Sequence, residues 1–393
     1  MTVSGLERLV DPGVGRGKPF AGQRLGLLTH PAAITSDGRH GAHALLEAGA
    51  DLRALFGPEH GVLGTAQAGE SEASATDSST GLPVYDTYNH SVEHLSGMLA
   101  ESRIDVLAID LQNSGARFFT YESSLYDAMA AAAMVGVPVC VLDRPNPLGG
   151  REVAGPVLHQ EFASFVGRAA IPVRHGLTMG ELSRLFADRL GVETPEVVKL
   201  AGWNAAHLFP ATGLPWVPPS PNLPTATSAL LYPGTCFLEG TNVSVGRGTT
   251  TPFELVGAPW LDRGFAERLR AAAPAGLAGL AGITVREAYA TPAFDRYAGQ
   301  QICGAQLHVT DPDAVDPLAV GVAVLCALRD GWLGRLRFRD KHFDLLAGSD
   351  ELRTALNKGS SAEEILERWR EPARRFAEVE RKPYLLYPRD GES

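Results

Sequence analysis

The chain has 393 residues, 20% charged and 45% hydrophobic, the make-up of an ordinary globular protein with enough length for two cores. Thirty-five Lys and Arg against 45 Asp and Glu leave a formal charge of −10, which argues against a general phosphate-backbone binder and leaves nucleic acid out as a partner. The four cysteines form no CxxC pair, the N-terminus has no basic-then-apolar leader, and no run approaches the ~18 apolar residues of a membrane span. Buried free thiols and a cytoplasmic chain without a membrane segment are therefore expected, or an exported one if the N-terminus is processed.

Taken in order, the first elements alternate between strand and helix. A strand is expected over 24–29, a helix over 40–48, and a strand over 52–56 that runs into the breaker pair Gly57-Pro58. Near-continuous apolar runs at 105–110 and 137–143 read as strands covered on both faces, separated by an Ala-rich helix over 126–135. This rhythm predicts an α/β fold with a Rossmann-like parallel sheet. A helix over 179–190 follows, where Thr178 and Glu181 form a capping box, and then a strand over 197–200. The Pro-rich stretch 215–224 reads as rigid and extended. We draw the boundary at Tyr232, giving a first domain over 1–232 and a smaller α+β domain over 233–393. The second carries strands over 282–286 and 306–310, a helix over 317–329 and terminal helices beginning at Ser349 and Ser361.

Each early strand ends in polar residues: Thr29-His30, Glu59-His60, Asp110 to Asn113, and Asp143 to Asn146. Such ends share one rim of a parallel sheet, where ligands bind in open α/β folds. No GxGxxG follows the first strand, which removes the dinucleotide fingerprint, and no GxSxG, HExxH or P-loop occurs. Neither cofactor nor metal is called for. Glu59 sits in a Pro-Glu-His-Gly turn with no capping duty, which makes it the leading acid, with His60 beside it. Asp110, Asp143, Glu181 and Glu239 are the other carboxylates weighed, Asp143 being placed to pair with Arg144. Arg117, Arg144, Arg174 and Arg247 recur in polar loops, as partners for a carboxylate or phosphate. One alternative gathers His30, His60, Asp110 and His175 around a metal for a metal-dependent hydrolase.

Several long motifs occur together: Phe56-Gly57-Pro58-Glu59-His60-Gly61, Thr80-Gly81-Leu82-Pro83-Val84-Tyr85, Leu142-Asp143-Arg144-Pro145-Asn146-Pro147-Leu148-Gly149-Gly150, Pro219-Ser220-Pro221-Asn222-Leu223-Pro224-Thr225, Glu239-Gly240-Thr241-Asn242 and Gly246-Arg247-Gly248-Thr249. Across nearly its whole length the chain resembles the bacterial exo-β-N-acetylmuramidase family, formerly a domain of unknown function. The resemblance implies a glycoside hydrolase that releases terminal non-reducing N-acetylmuramic acid from MurNAc-GlcNAc type peptidoglycan fragments, in a cleft between the two domains. It implies Glu59 as the catalytic glutamate, with His60 tuning it. Asp110, Arg117, Arg144, Asn146, Arg174, His175, Glu239, Asn242 and Arg247 are then expected around the sugar, one of the arginines clamping the lactyl carboxylate. The chain departs from the family pattern at Asn113, where Asp is usual, at Phe119, where Tyr is common, and at Val245, where Glu is usual. A non-catalytic muropeptide-binding protein is the remaining alternative.

Overall fold

Strands whose residues are apolar on both faces can only be satisfied inside a helix-covered sheet, and the first half of the chain builds one. The computed structural model describes residues 1–11, 13, 20–272 and 280–389. In chain order the first half comprises α1 (Gly5–Val10), β1 (Arg24–Thr29), α2 (Gly41–Glu47), β2 (Asp51–Gly57), β3 (Ala75–Thr76), β4 (Pro83–Asp86) and α3 (Val92–Ser102). It continues with β5 (Val106–Asp110), α4 (Tyr121–Val135), β6 (Val139–Leu142), β7 (Ala154–Val157), β8 (Pro172–Arg174), α5 (Met179–Leu190), β9 (Glu196–Val198) and α6 (Ala226–Thr235). Seven strands form one sheet in the order β3-β4-β2-β1-β5-β6-β9, parallel throughout except for β3 on its edge. From β1 the chain goes first to one side, at β2, and later to the other, at β5. The carboxyl ends of these strands flank that change of direction, which is where such sheets leave a crevice.

The second half holds β10 (Leu255–Ala258), α7 (Gly264–Ala272), β11 (Ile283–Ala290), β12 (Ile302–Val309), α8 (Pro317–Trp332), α9 (Asp340–Ala347), α10 (Glu351–Asn357) and α11 (Ala362–Arg375). Its sheet is antiparallel, in the order β10-β12-β11. The expected mixture of a parallel-sheet domain with a smaller C-terminal α+β domain is thus what the chain adopts. β11 and β12 run to eight residues each, longer than their sequence signal, because they support one another across a full ladder. The helix expected from residue 126 starts at Tyr121, because its polar first turn, Glu122-Ser123-Ser124, is buried against the core.

α6 is capped at its start by Thr225 and Ser228 but carries the helix breakers Pro233 and Gly234 in its interior, where tertiary packing requires them. It crosses α8 so closely that a Cβ on Gly234 would sit 1.7 Å from the Pro317 carbonyl oxygen, and one on Gly321 would sit 2.3 Å from the Gly234 carbonyl oxygen. Only glycine admits that approach. One buried cluster runs from Leu28 and Phe56 through Phe118, Tyr232 and Phe237 to Val324 and Trp369, so the two halves share a continuous core. The end of the chain returns to the first domain. The Arg381 guanidinium donates to the Gly150 and Gly176 carbonyls, Leu386 N–H donates to Glu181 at 2.9 Å, and the Tyr387 hydroxyl donates to Asp143 at 2.5 Å. Among the described residues no helix is long and apolar enough to cross a membrane.

Candidate active site

The apolar run of β2 stops at Gly57, and Pro58 forbids its continuation. The Gly61 N–H then closes a tight turn on the Pro58 carbonyl at 2.9 Å, with His60 in the left-handed region at φ 73°. A non-glycine residue held there costs roughly 1 kcal/mol or more and persists only where its surroundings over-determine it. His60 is fastened at both ends: its backbone N–H donates to the Glu70 carbonyl, and its Nδ1–H donates to the Ala66 carbonyl at 3.0 Å. Burial, assisted by the charge of Arg247 and opposed by that of Glu59, lowers the His60 pKa, so a neutral imidazole ties down the 66–70 loop.

That loop reaches the acid. One Glu59 carboxyl oxygen accepts the Gly69 backbone N–H at 2.6 Å, and the other accepts the Thr120 hydroxyl. Thr120 stands at the N-cap of α4 with its side chain turned away from the helix backbone, free for this contact. Tyr121, the next residue, donates its hydroxyl to the Pro219 carbonyl at 2.9 Å and also reaches the Glu59 carbonyl at 3.2 Å. Glu59 is 8% exposed, and that exposure opens into a cleft of about 700 Å³. The half-buried Tyr88 phenol lines the same cleft, its pKa pushed up to about 12 by burial and by the Glu59 charge. It is a neutral donor throughout the physiological range.

The second domain supplies the facing wall. Glu239 and Arg247 pair at 2.5 Å, and the Arg247 guanidinium lies 5.2 Å over the Phe253 ring. Burial opposes the Arg247 charge, but the attraction of Glu239 outweighs it and the pKa is raised. Its Nη1 atom is buried and has no partner among the described residues. The floor is aromatic: Phe118, Phe119 and Phe253 each pack edge-to-face on Tyr232. Ser220 and Asn222 bring the Pro-rich segment to the cleft, and Val245 and Phe119 line it at two of the positions where the family pattern has other residues. Asn113, the third such position, is buried away from the cleft with neither amide atom bonded.

Of the residues expected around a ligand, Glu59, His60, Glu239 and Arg247 line the cleft, and the others have different partners. Arg117 is fully buried, donating to the Pro156, Ile171 and Leu346 carbonyls, and burial pushes it down to about 9. Arg174 donates to the Leu148 carbonyl. Arg144 forms a buried ion pair with Asp110 and reaches the Ile34 carbonyl, so Asp143 receives its backbone N–H rather than its guanidinium. Asn146 links Leu148 N–H to the Leu177 carbonyl, and Asn242 bonds Arg335 and Arg337 in the second domain. His175 donates to Glu122 at 2.8 Å, and His30 accepts the Gln112 N–H. His30, His60, Asp110 and His175 are thus each committed elsewhere, and no group of three or more metal-ligating side chains gathers among the described residues. Glu181 completes the capping box of α5. Thr120, Gly69, Tyr88, Arg296, Arg339 and His342 line the cleft without having been singled out from sequence. Thr120 escaped notice because the helix it caps was expected to begin only at residue 126; a backbone N–H such as that of Gly69 carries no signal.

Fold and cleft together define a two-domain α/β enzyme whose interdomain cleft opposes an embedded carboxyl group to an ion-paired arginine, an arrangement suited to glycoside chemistry. The chain matches the family description "Exo-beta-N-acetylmuramidase NamZ" in both its N-terminal part, over residues 25–227, and its C-terminal part, over residues 230–387. It is 41% identical over 373 residues to the peptidoglycan β-N-acetylmuramidase NamZ of Bacillus subtilis (strain 168), covering 94% of this chain and 88% of that protein. Among solved structures, one DUF1343 family protein of Bacteroides fragilis NCTC 9343 superposes with a TM-score of 0.85 at 32% identity, covering 98% of this chain and 99% of that one. Another from the same organism gives 0.76 at 28% identity, covering 99% and 100%. The chain belongs to the NamZ exo-β-N-acetylmuramidase family.

Proposed function

We propose that this cleft hydrolyses the glycosidic bond of a terminal, non-reducing β-N-acetylmuramic acid in MurNAc-GlcNAc type peptidoglycan fragments, with Glu59 as general acid. The observation that carries this reading is the Glu59 carboxyl group, fixed on both oxygens by Gly69 and Thr120 and aimed into a cleft whose far wall holds the unspent Nη1 edge of Arg247. As the bond from the anomeric carbon to the leaving oxygen breaks, Glu59 transfers its proton to that oxygen, water adds to the anomeric carbon, and the proton the water sheds passes to solvent, from which Glu59 is reprotonated. The Arg247 guanidinium, oriented through Nε by Glu239, takes the lactyl carboxylate that distinguishes muramic acid from glucosamine. Tyr88 and the aromatic floor shape the sugar site and exclude bulk water, which strengthens each polar contact within.

Hydrolysis of the MurNAc-GlcNAc disaccharide tests the acid directly, because its sugar leaving group must be protonated whereas an aryl leaving group need not be. Glu59→Gln should lose about 10²-fold or more on the disaccharide and much less on an aryl muramide. The parent should ignore the matching N-acetylglucosaminide. Undiminished disaccharide turnover by Glu59→Gln would remove Glu59 from the mechanism, and ligand binding without product by the parent would make the protein a muropeptide binder.

A further inference from the structure

Arg247 is one of three arginines on this cleft, and the other two have no counter-ion. The Arg296 and Arg339 side chains make no hydrogen bond or ion pair among the described residues, although both line the cleft. Arg339 is exposed and Arg296 half-buried, whereas Arg247 is nearly enclosed, so the unpaired pair stands further out toward the mouth. His342 lines the same cleft. Its pKa is lowered by burial and by both Arg339 and Arg296, with Glu239 opposing, which places all of them within electrostatic reach of one imidazole.

Arg296 is held by its backbone. Asp295 and Tyr297 on either side both occupy the left-handed region, at φ 64°. The loop is pinned at 2.8 Å by Ala293 N–H on the Gly248 carbonyl and at 2.6 Å by the Tyr297 hydroxyl on the Asn242 carbonyl. A Cβ on Gly248 would fall 2.4 Å from the Phe294 carbonyl oxygen, so the Arg247 loop and the Arg296 loop are fitted to one another. Arg339 is fixed through its backbone N–H on the Gly240 carbonyl at 2.7 Å. Two unpaired cations held at strained or pinned backbone positions form a site for an anion that arrives with the substrate.

We propose that Arg296 and Arg339 form a second anion subsite on the leaving-group side, which binds the lactyl carboxylate of the next muramic acid along the glycan, two sugars beyond the scissile bond. This rests on the glycosidase reading above. An exo-acting cleft takes the terminal sugar deepest, so the leaving glycan passes the mouth, and in an alternating polymer its first carboxylate lies on the third sugar. Asp295 also lines the mouth but makes no ion pair with Arg296, leaving the positive charge available.

The test compares kcat/KM on MurNAc-GlcNAc-MurNAc with that on MurNAc-GlcNAc-GlcNAc, equal in length but lacking the second carboxylate, for the parent and for Arg296→Gln/Arg339→Gln. The parent should favour the first by roughly three- to tenfold, as expected for partly solvated charge pairs. The ratio should fall toward one in the double variant, to an intermediate value in Arg339→Gln alone, and toward one for the parent in about 1 M salt. Equal rates in the parent, or a preference that survives the double variant, would overturn the subsite. Release of product from an aryl muramide by the parent reports separately on the glycosidase reading: if it is intact while the ratio is one, only the subsite fails, and if it is absent both fail.

Discussion

Replacing Asp143 by Asn should change how stability depends on pH more than it changes stability itself. The Asp143 carboxyl group is fully buried, and burial raises its pKa to about 7, although the Tyr387 and Thr178 hydroxyls and the Gly180 N–H all bond to it. In the unfolded chain an aspartate titrates near 3.9. Between about pH 4 and pH 7 the folded protein therefore keeps a proton that the unfolded chain has released, and stability falls as pH rises across that window. Three pKa units at about 1.4 kcal/mol each amount to about 4 kcal/mol, fully present below pH 4 and gone above pH 7. Asparagine cannot titrate. It carries a fixed penalty while the hydroxyls of Tyr387 and Thr178 reorient around its amide, so the slope is the readout and the offset is not. Denaturant titrations of parent and variant at half-unit steps from pH 4 to pH 8 give the difference directly, and groups common to both cancel. The parent's advantage should shrink steadily toward pH 7. A difference that stays flat would mean that Asp143 is ionised throughout, held by those three donors and by the Arg144 N–H, and the reasoning from burial would be refuted.

Thr120→Val removes the hydroxyl that holds one Glu59 oxygen while keeping the side-chain volume. It should lower kcat on the disaccharide about tenfold, the equivalent of roughly 1.5 kcal/mol for a bond to a charged group, and Thr120→Ser should restore most of the loss. A Thr120→Val enzyme with parental kcat would show the contact to be incidental. Arg247→Met should raise KM for the muramide about 30-fold or more, through loss of the carboxylate partner and the stranding of Glu239. Steady-state kinetics that show a lowered kcat with unchanged KM would place Arg247 in the chemistry instead of in recognition.

The sheet was legible because covered strands announce themselves. The apolar run over 24–29 matches β1 residue for residue, and the Thr178-Glu181 capping box set the start of α5. α6 was hidden because Pro233 and Gly234 oppose a helix locally, and only the close crossing with α8 explains them. In the site, Glu59 stood out because a breaker turn after a strand gave it no structural duty. The arginines were harder to sort. Arg117, Arg144 and Arg174 occupy loops as polar as that of Arg247, yet they turn inward to carbonyls and to Asp110, and the direction in which a long side chain turns depends on contacts up to 229 residues away. Gly69 contributes only its backbone N–H, which every residue but proline possesses.

The return of the chain's end to the first domain has a mechanical meaning. The polypeptide leaves the parallel-sheet domain at α6 and comes back through Arg381, Leu386 and Tyr387, so the second domain is tethered at both of its ends as well as seated on the core that the two halves share. Freeing the C-terminal tether would leave the Arg247 wall held opposite Glu59 by that shared core and one covalent link alone.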